Sequence, residues 1–261
     1  MLGTAGCSSS SDAGSASSPT TTGAGGSAPL EAFTCDASGE VTVAAAASLT
    51  EAFTEIGDQV EAACDGSQVT FTFDSSGKLS EQILSGSPID VFASADEANA
   101  EKVADLASTA PVTFARNQLV IVTQPGNPEG IESLADLADA GVVALCADDA
   151  PCGSFAAQAL EAADVEIDEA TVTRGQNAKA TLTAVSEGDA VAGIVYVTDA
   201  RAAGERVDAV EIPAEQNVIA TYPVVVIDGP GDDDLAAAFA TYLQTDEAQL
   251  VLADAGFLPP T

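Results

Sequence analysis

The chain has 261 residues, 46% of them hydrophobic, enough to bury the core of one large domain or two smaller ones. Its 7 Lys and Arg stand against 41 Asp and Glu, a net charge of −34. That balance argues against nucleic acid or an anionic membrane surface as partner, since both need clustered cations, and it reads as a solvated acidic coat. With no His at all, Ser-His-Asp and Cys-His catalysis and every His-based metal site are excluded.

Residues 8–33 are rich in Ser, Gly, Thr and Ala, with almost no large apolar side chains. Such a segment cannot bury enough surface to offset the entropy of ordering, so residues 1–35 are set apart as a tether. Packed structure should begin near Cys35. From there strands and helices alternate. Residues 41–46 form a short apolar run that reads as a buried strand. Residues 48–64 carry Leu49, Ala52, Phe53, Ile56 and Val60 at helical spacing. A strand is predicted over 68–73, a short helix over 78–85, a strand over 90–93 and a helix over 96–107, ended by Pro111. Strand 118–123 and helix 131–138 follow, then strand 142–146 and helix 153–163. Helix 178–187, strand 191–196 and strand 207–212 come next. The chain closes with strand 222–227 and helices 235–243 and 246–255, the last capped by Thr245. This β/α alternation predicts an α/β fold with mostly parallel sheets and helices on both faces. No segment after the tether is long and apolar enough to span a bilayer.

Four stretches of small, mostly uncharged residues stand at the start of a predicted helix: Ala47-Ser48-Leu49, Asp74-Ser75-Ser76-Gly77, Ala150-Pro151-Cys152-Gly153 and Gln176-Asn177-Ala178. Ligands of open α/β sheets sit beyond the carboxyl ends of strands. Helix N-termini there offer free N–H groups and the positive end of the helix dipole. An anion is the natural occupant, held by short-range hydrogen bonds, because the long-range field of this chain repels it. Each position also has an ordinary structural reading. Ser48 with Glu51 makes a capping box, Ser75-Ser76-Gly77 suits a plain turn, and Pro151 suits a helix start. Lys78 lies at the mouth of its turn, and Arg174 and Lys179 flank Ala178, where they supply weak positive potential.

Of five Cys, four (Cys35, Cys64, Cys146 and Cys152) make an even set. In an exported protein they form two disulfides by one of three pairings, of which Cys35–Cys64 with Cys146–Cys152 fits the order of elements. Cys7 stands in Leu2-Gly3-Thr4-Ala5-Gly6-Cys7-Ser8-Ser9-Ser10, which resembles the end of a bacterial lipoprotein signal, with Cys7 as the lipidated residue. The basic and apolar parts of such a signal do not precede it, so the natural chain is expected to start earlier.

An ordered series of motifs carries a wider resemblance. Ala44-Ala45-Ala46-Ala47-Ser48-Leu49-Thr50-Glu51-Ala52-Phe53, Phe73-Asp74-Ser75-Ser76-Gly77-Lys78-Leu79-Ser80-Glu81-Gln82-Ile83 and Gly86-Ser87-Pro88-Ile89-Asp90-Val91-Phe92-Ala93 resemble the molybdate-binding proteins of bacterial ABC importers. So do Asn117-Gln118-Leu119-Val120-Ile121-Val122, Gly193-Ile194-Val195-Tyr196-Val197-Thr198-Asp199-Ala200 and Tyr222-Pro223-Val224. The resemblance covers residues 40–258. It implies the two-lobed fold of type II periplasmic binding proteins, with the ligand in the interlobe cleft. Residues 36–116 and the return 222–261 would build lobe 1, and 117–221 lobe 2.

Carried over by motif, the resemblance assigns molybdate to the hydroxyls of Ser48 and Ser76, the backbone N–H groups of Cys152 and Ala178, and the Tyr196 hydroxyl. Cys152 replaces an Ala common in relatives, which leaves the N–H in place. The implied function is capture of molybdate and tungstate outside the membrane by a monomer that is not an enzyme and has no cofactor. An ABC permease and its ATPase are the implied partners, with no nucleic acid and membrane contact only through lipidated Cys7. The alternatives are another tetrahedral oxyanion (sulfate or phosphate), an octahedral site using Asp74, Asp148 and Asp149, an enzyme on the same fold, or a surface receptor that does not transport.

Overall fold

The computed structural model describes residues 33–261. Lipidation at Cys7 and the tether up to residue 32 lie outside the described residues. The strands are β1 (Gly39–Ala46), β2 (Ser67–Asp74), β3 (Val91–Ala93), β4 (Val112–Thr123), β5 (Val143–Cys146), β6 (Val172–Gly175), β7 (Ala192–Tyr196), β8 (Asp208–Glu211) and β9 (Ile219–Val226). The helices are α1 (Thr50–Ala63), α2 (Ser76–Leu84), α3 (Glu97–Lys102), α4 (Pro151–Ala162), α5 (Ala178–Ser186), α6 (Val197–Ala203), α7 (Asp233–Tyr242) and α8 (Asp246–Ala255).

The strands pair in the order β2-β1-β3-β9-β4-β7-β5-β6, with β8 also on β4. At one end β1 is parallel to β2 and β3; at the other β5 is parallel to β6 and β7. The sheet is mixed rather than parallel at its centre. β9 runs antiparallel to β3 and β4, and β4 antiparallel to β7 and β8. These two strands carry the chain between the halves. Residues Val112–Gln118 of β4 pair with β9, whereas Leu119–Thr123 pair with β7 and β8. The change of partner falls just after Gln118.

Several elements differ from expectation. β4 begins six residues before the predicted strand, because Val112–Asn117 breaks its apolar residues with Thr, Arg and Asn and only the pairing with β9 turns it into strand. β6 and α6 were not expected; they are only four and seven residues long, too short for a periodic signal. The stretch 131–138 forms a 3-10 turn at Leu134–Asp139 instead of an α-helix.

The first half packs around an aromatic cluster. Phe53 of α1 lies 5.6–6.1 Å, ring centre to ring centre, from Phe71, Phe114 and Phe239. α1 buries Ala52, Phe53, Ile56, Gly57 and Val60, one stripe of an amphipathic helix. Full burial of Phe53 alone contributes about 1.5–3 kcal/mol. β1 is buried on both faces from Val43 onward, apart from its exposed start, as parallel strands covered by helices are. Cys35–Cys64 and Cys146–Cys152 are disulfides. The first fastens the chain ahead of β1 to the end of α1; closing a loop of 29 residues contributes about 3–4 kcal/mol in the chain-entropy account. Among the described residues, no helix is long and apolar enough to cross a membrane.

Candidate functional site

The carboxyl ends of β1, β2, β5, β6 and β7 converge on one small chamber between the two halves of the sheet. It is lined by Ala46, Ala47, Ser48, Asp74, Ser75, Ser76, Ala95, Pro151, Cys152, Asn177, Ala178 and Tyr196. Its free space is narrow, at about the least that holds one water molecule. All five residues singled out from the sequence (Ser48, Ser76, Cys152, Ala178 and Tyr196) line this chamber, and each is at least 95% buried.

Local structure explains why each element presents a donor. Ser48 sits in a 3-10 turn, Ala47–Leu49, that leads into α1. Ser76, Cys152 and Ala178 stand at the first or second position of α2, α4 and α5, where a backbone N–H has no acceptor within its own helix. The caps take the next amides. Ser75 Oγ accepts the Lys78 N–H at 3.4 Å, and Asn177 Oδ1 accepts the Ala180 N–H at 3.0 Å. That leaves the N–H groups nearest the chamber for an occupant. The Cys146–Cys152 disulfide ties the end of β5 to the start of α4 and so fixes the direction of the Cys152 N–H.

The hydroxyls are oriented by donors behind them. Ser76 Oγ accepts the Ala95 N–H at 2.9 Å, so its own proton is free to point into the chamber. Ser48 Oγ is 2.8 Å from the Tyr222 hydroxyl. Asn117 Nδ2 donates to Tyr222 at 3.5 Å and to Thr198 Oγ1 at 3.0 Å. A hydroxyl that receives the Asn117 proton sends its own forward. Either hydroxyl of the Ser48–Tyr222 pair can donate; with Tyr222 as donor, the Ser48 proton is free for the chamber. Tyr196 is 2% exposed, and its hydroxyl has no hydrogen-bond partner among the described residues. Burial, reinforced by the nearby Tyr222 and Asp199, pushes that hydroxyl well above the usual tyrosine range. It stays protonated, a buried donor without an acceptor, which is costly unless a ligand supplies one.

Charge is distributed with the same bias. The helices α7 and α8, away from the chamber, carry two acids each in their first turns, the usual preference. α2, α4 and α5, whose N-termini face the chamber, carry none. No Lys or Arg lines the chamber. Lys78 donates to Gln176 at 2.6 Å, and Arg174 is committed to Asp148 at 2.8 Å, Glu169 at 2.6 Å and the Cys146 carbonyl at 3.0 Å. Asp74 is the lining carboxylate. Its Oδ1 accepts from the Ser75 N–H at 2.8 Å and from Asn177 Nδ2 at 2.9 Å. Asp148 and Asp149 are exposed, and among the described residues no group of acids and Cys is arranged to hold a metal ion.

Sequence reasoning missed three parts of the site. Asn117 and Tyr222 act through hydrogen bonds to residues 81 and 174 positions away, which no local pattern carries. Gly77 matters through what faces it. A Cβ there would sit 2.5 Å from the Asp149 carbonyl oxygen, so glycine lets α2 of one half touch the loop before α4 of the other. The Ser48–Glu51 capping box does not form. The α1 N-terminus has no side-chain cap, Ser48 turns to Tyr222, and Glu51 turns to Lys179 at 2.7 Å.

The family model described as "Bacterial extracellular solute-binding protein" matches residues 41–258. The molybdate-binding protein ModA of Mycobacterium tuberculosis is 46% identical over 95 residues, which is 36% of this chain and 36% of that protein; the match spans about a third of the curated relative. Among solved structures, the substrate-binding domain of a putative molybdenum ABC transporter from Clostridium difficile is 25% identical with a TM-score of 0.64, covering 84% of this chain and 98% of that one. The periplasmic molybdate-binding protein of Azotobacter vinelandii has the same fold, with a TM-score of 0.73 at 21% identity, covering 85% of this chain and 100% of that one.

Proposed function

Because this chain belongs to the bacterial extracellular solute-binding protein family, we propose that its chamber captures molybdate, and equally tungstate, outside the cell membrane and hands it to an ABC permease and its ATPase. The observation that carries this reading is a buried chamber of donors. Hydroxyls of Ser48, Ser76 and Tyr196 and first-turn amides of α2, α4 and α5 face a space lined by no cation. A hydrogen bond to a charged oxygen is worth about 1.5–3 kcal/mol. Several together in a dry, closed site offset the dehydration of a dianion.

Donors without acceptors favour a fully deprotonated anion. Hydrogen phosphate keeps a proton that needs an acceptor; Asp74 Oδ1 is taken by Ser75 and Asn177, which leaves Asp74 Oδ2 as the lining carboxylate oxygen that could accept it. Molybdate and sulfate both satisfy the charge pattern and differ in size. The names of the similar proteins from Mycobacterium tuberculosis and Clostridium difficile favour molybdate.

In this reading residues 36–116 and 222–261 form one lobe and 117–221 the other. They hinge where β4 changes partners after Gln118, and closing them completes the chamber. The chain is then a monomeric carrier with no catalytic step, tethered through residues 1–35 and a lipid on Cys7. Calorimetric titration with molybdate, tungstate, sulfate and phosphate tests the proposal. Tight and similar affinity for the first two, with none for the last two, is expected. Tight sulfate or phosphate binding without molybdate binding would transfer the site to that anion, and no binding of any of the four would end the oxyanion reading.

A further inference from the structure

Two helices that border the chamber do carry an acid in their first turns: Glu51 in α1 and Asp199 in α6. Neither is left alone. Lys179, in the first turn of α5, places its ammonium 2.7 Å from both Glu51 carboxylate oxygens and 3.5 Å from Asp199 Oδ1. Glu51 belongs to the first half of the sheet and Lys179 and Asp199 to the second, so the ammonium spans the cleft beside the chamber. Asp199 is fully buried, and its other oxygen accepts the Tyr196 N–H at 3.4 Å. Its Oδ1 has no hydrogen bond, so Lys179 answers its charge by proximity alone.

We infer that Lys179 is a positioning residue for anion capture: it offsets the Glu51 and Asp199 carboxylates beside the chamber and ties the halves together once they meet. The inference rests on the oxyanion reading and adds a residue to it. Without Lys179, an incoming dianion meets two uncompensated carboxylates behind Ser48 and Tyr196, and one of them is buried and has lost its counter-charge. The groups facing Asp199 are Lys179 from α5, Glu51 from α1, the Tyr196 N–H at the end of β7 and the Tyr222 ring of β9.

The test compares wild type with Lys179→Met, Lys179→Arg and the double variant Lys179→Met/Glu51→Gln. Molybdate is the probe, with dissociation followed by tyrosine fluorescence. Lys179→Met should release molybdate about tenfold faster or more, a larger effect than the roughly two- to fivefold loss of one exposed ion pair. Lys179→Arg should stay within about threefold of wild type, and removing Glu51 as well should recover part of the loss, because pairs that act together are not additive. A purely structural lysine would not be rescued by deleting a second residue. A readout without ligand accompanies this: the Asp199 carboxyl, followed by NMR, should titrate higher in Lys179→Met than in wild type. If wild type binds no molybdate but the Asp199 titration moves, the oxyanion reading fails and the tie stands. If molybdate binds and Lys179→Met leaves both release and titration unchanged, the tie is overturned alone.

Discussion

Gly77→Ala separates closure of the cleft from stability of the fold. The added Cβ would lie 2.5 Å from the backbone oxygen of Asp149, where ordinary contact begins at about 3.4 Å. One side must therefore yield by about 0.9 Å. The obstacle is backbone held by the start of α4, so it cannot swing aside as a flexible side chain would. Overpacking of this kind costs about 1–3 kcal/mol, which corresponds to about a 5- to 150-fold weaker Kd. Open halves do not feel the clash, and alanine in a helix is favoured over glycine by up to about 1 kcal/mol. Calorimetric titration of molybdate paired with thermal unfolding of the ligand-free protein should thus show lower affinity with an unchanged or slightly higher Tm. Unchanged affinity would mean that α2 and the Asp149 loop do not meet around the anion. A parallel fall in Tm would mean that Gly77 serves the fold and not its closure.

Two hydroxyl deletions should diverge. Ser76→Ala removes a donor and also orphans the Ala95 N–H, so it should weaken molybdate binding by about 1.5–3 kcal/mol and lower the ligand-free Tm as well. Tyr196→Phe should cost a similar amount of binding yet leave the Tm unchanged or raised, since the lost hydroxyl has no partner among the described residues; a lowered Tm would show that it does. Asp199 supplies a pH test. Burial pushes its carboxyl from 3.8 to about 6, against the lowering influence of Lys179. The folded chain therefore binds a proton that the unfolded chain has lost between about pH 4 and 6. Stability from this group is complete below that window and falls as pH rises through it, by about 3 kcal/mol in all. Relative to Asp199→Asn, wild type should gain stability as pH drops from 7 to 4 in chemical denaturation, and a constant difference would contradict the shift.

Much of this site was legible in the chain because its donors sit where local chemistry places them. Small residues at strand ends and uncharged first turns mark α2, α4 and α5 as places where an anion could rest, and the motif series supplies the individual residues. Ala178 shows the limit of side-chain chemistry, since its methyl carries no signal and only its position at the start of α5 matters. Ser48 and Glu51 show the limit of local motifs. Their spacing spells a capping box, yet Tyr222 and Lys179 offer each a better partner across the fold. Asn117 carries no local signal of its own, and only the fold brings its amide to Thr198 and Tyr222 behind Ser48. The front of β4 was unreadable for a related reason: residues 112–117 become strand only through pairing with β9, which arrives a hundred residues later.

The most direct measurement of the central claim is a crystal structure with tungstate bound, its heavy atom located by anomalous scattering. The account places the metal atom in the chamber, its oxygens within hydrogen-bond reach of Ser48, Ser76 and Tyr196 hydroxyls and of the Cys152 and Ala178 amides, with no cation beside it. Density lodged elsewhere, or an oxyanion gripped chiefly by Lys, Arg or a bound metal ion, would contradict it.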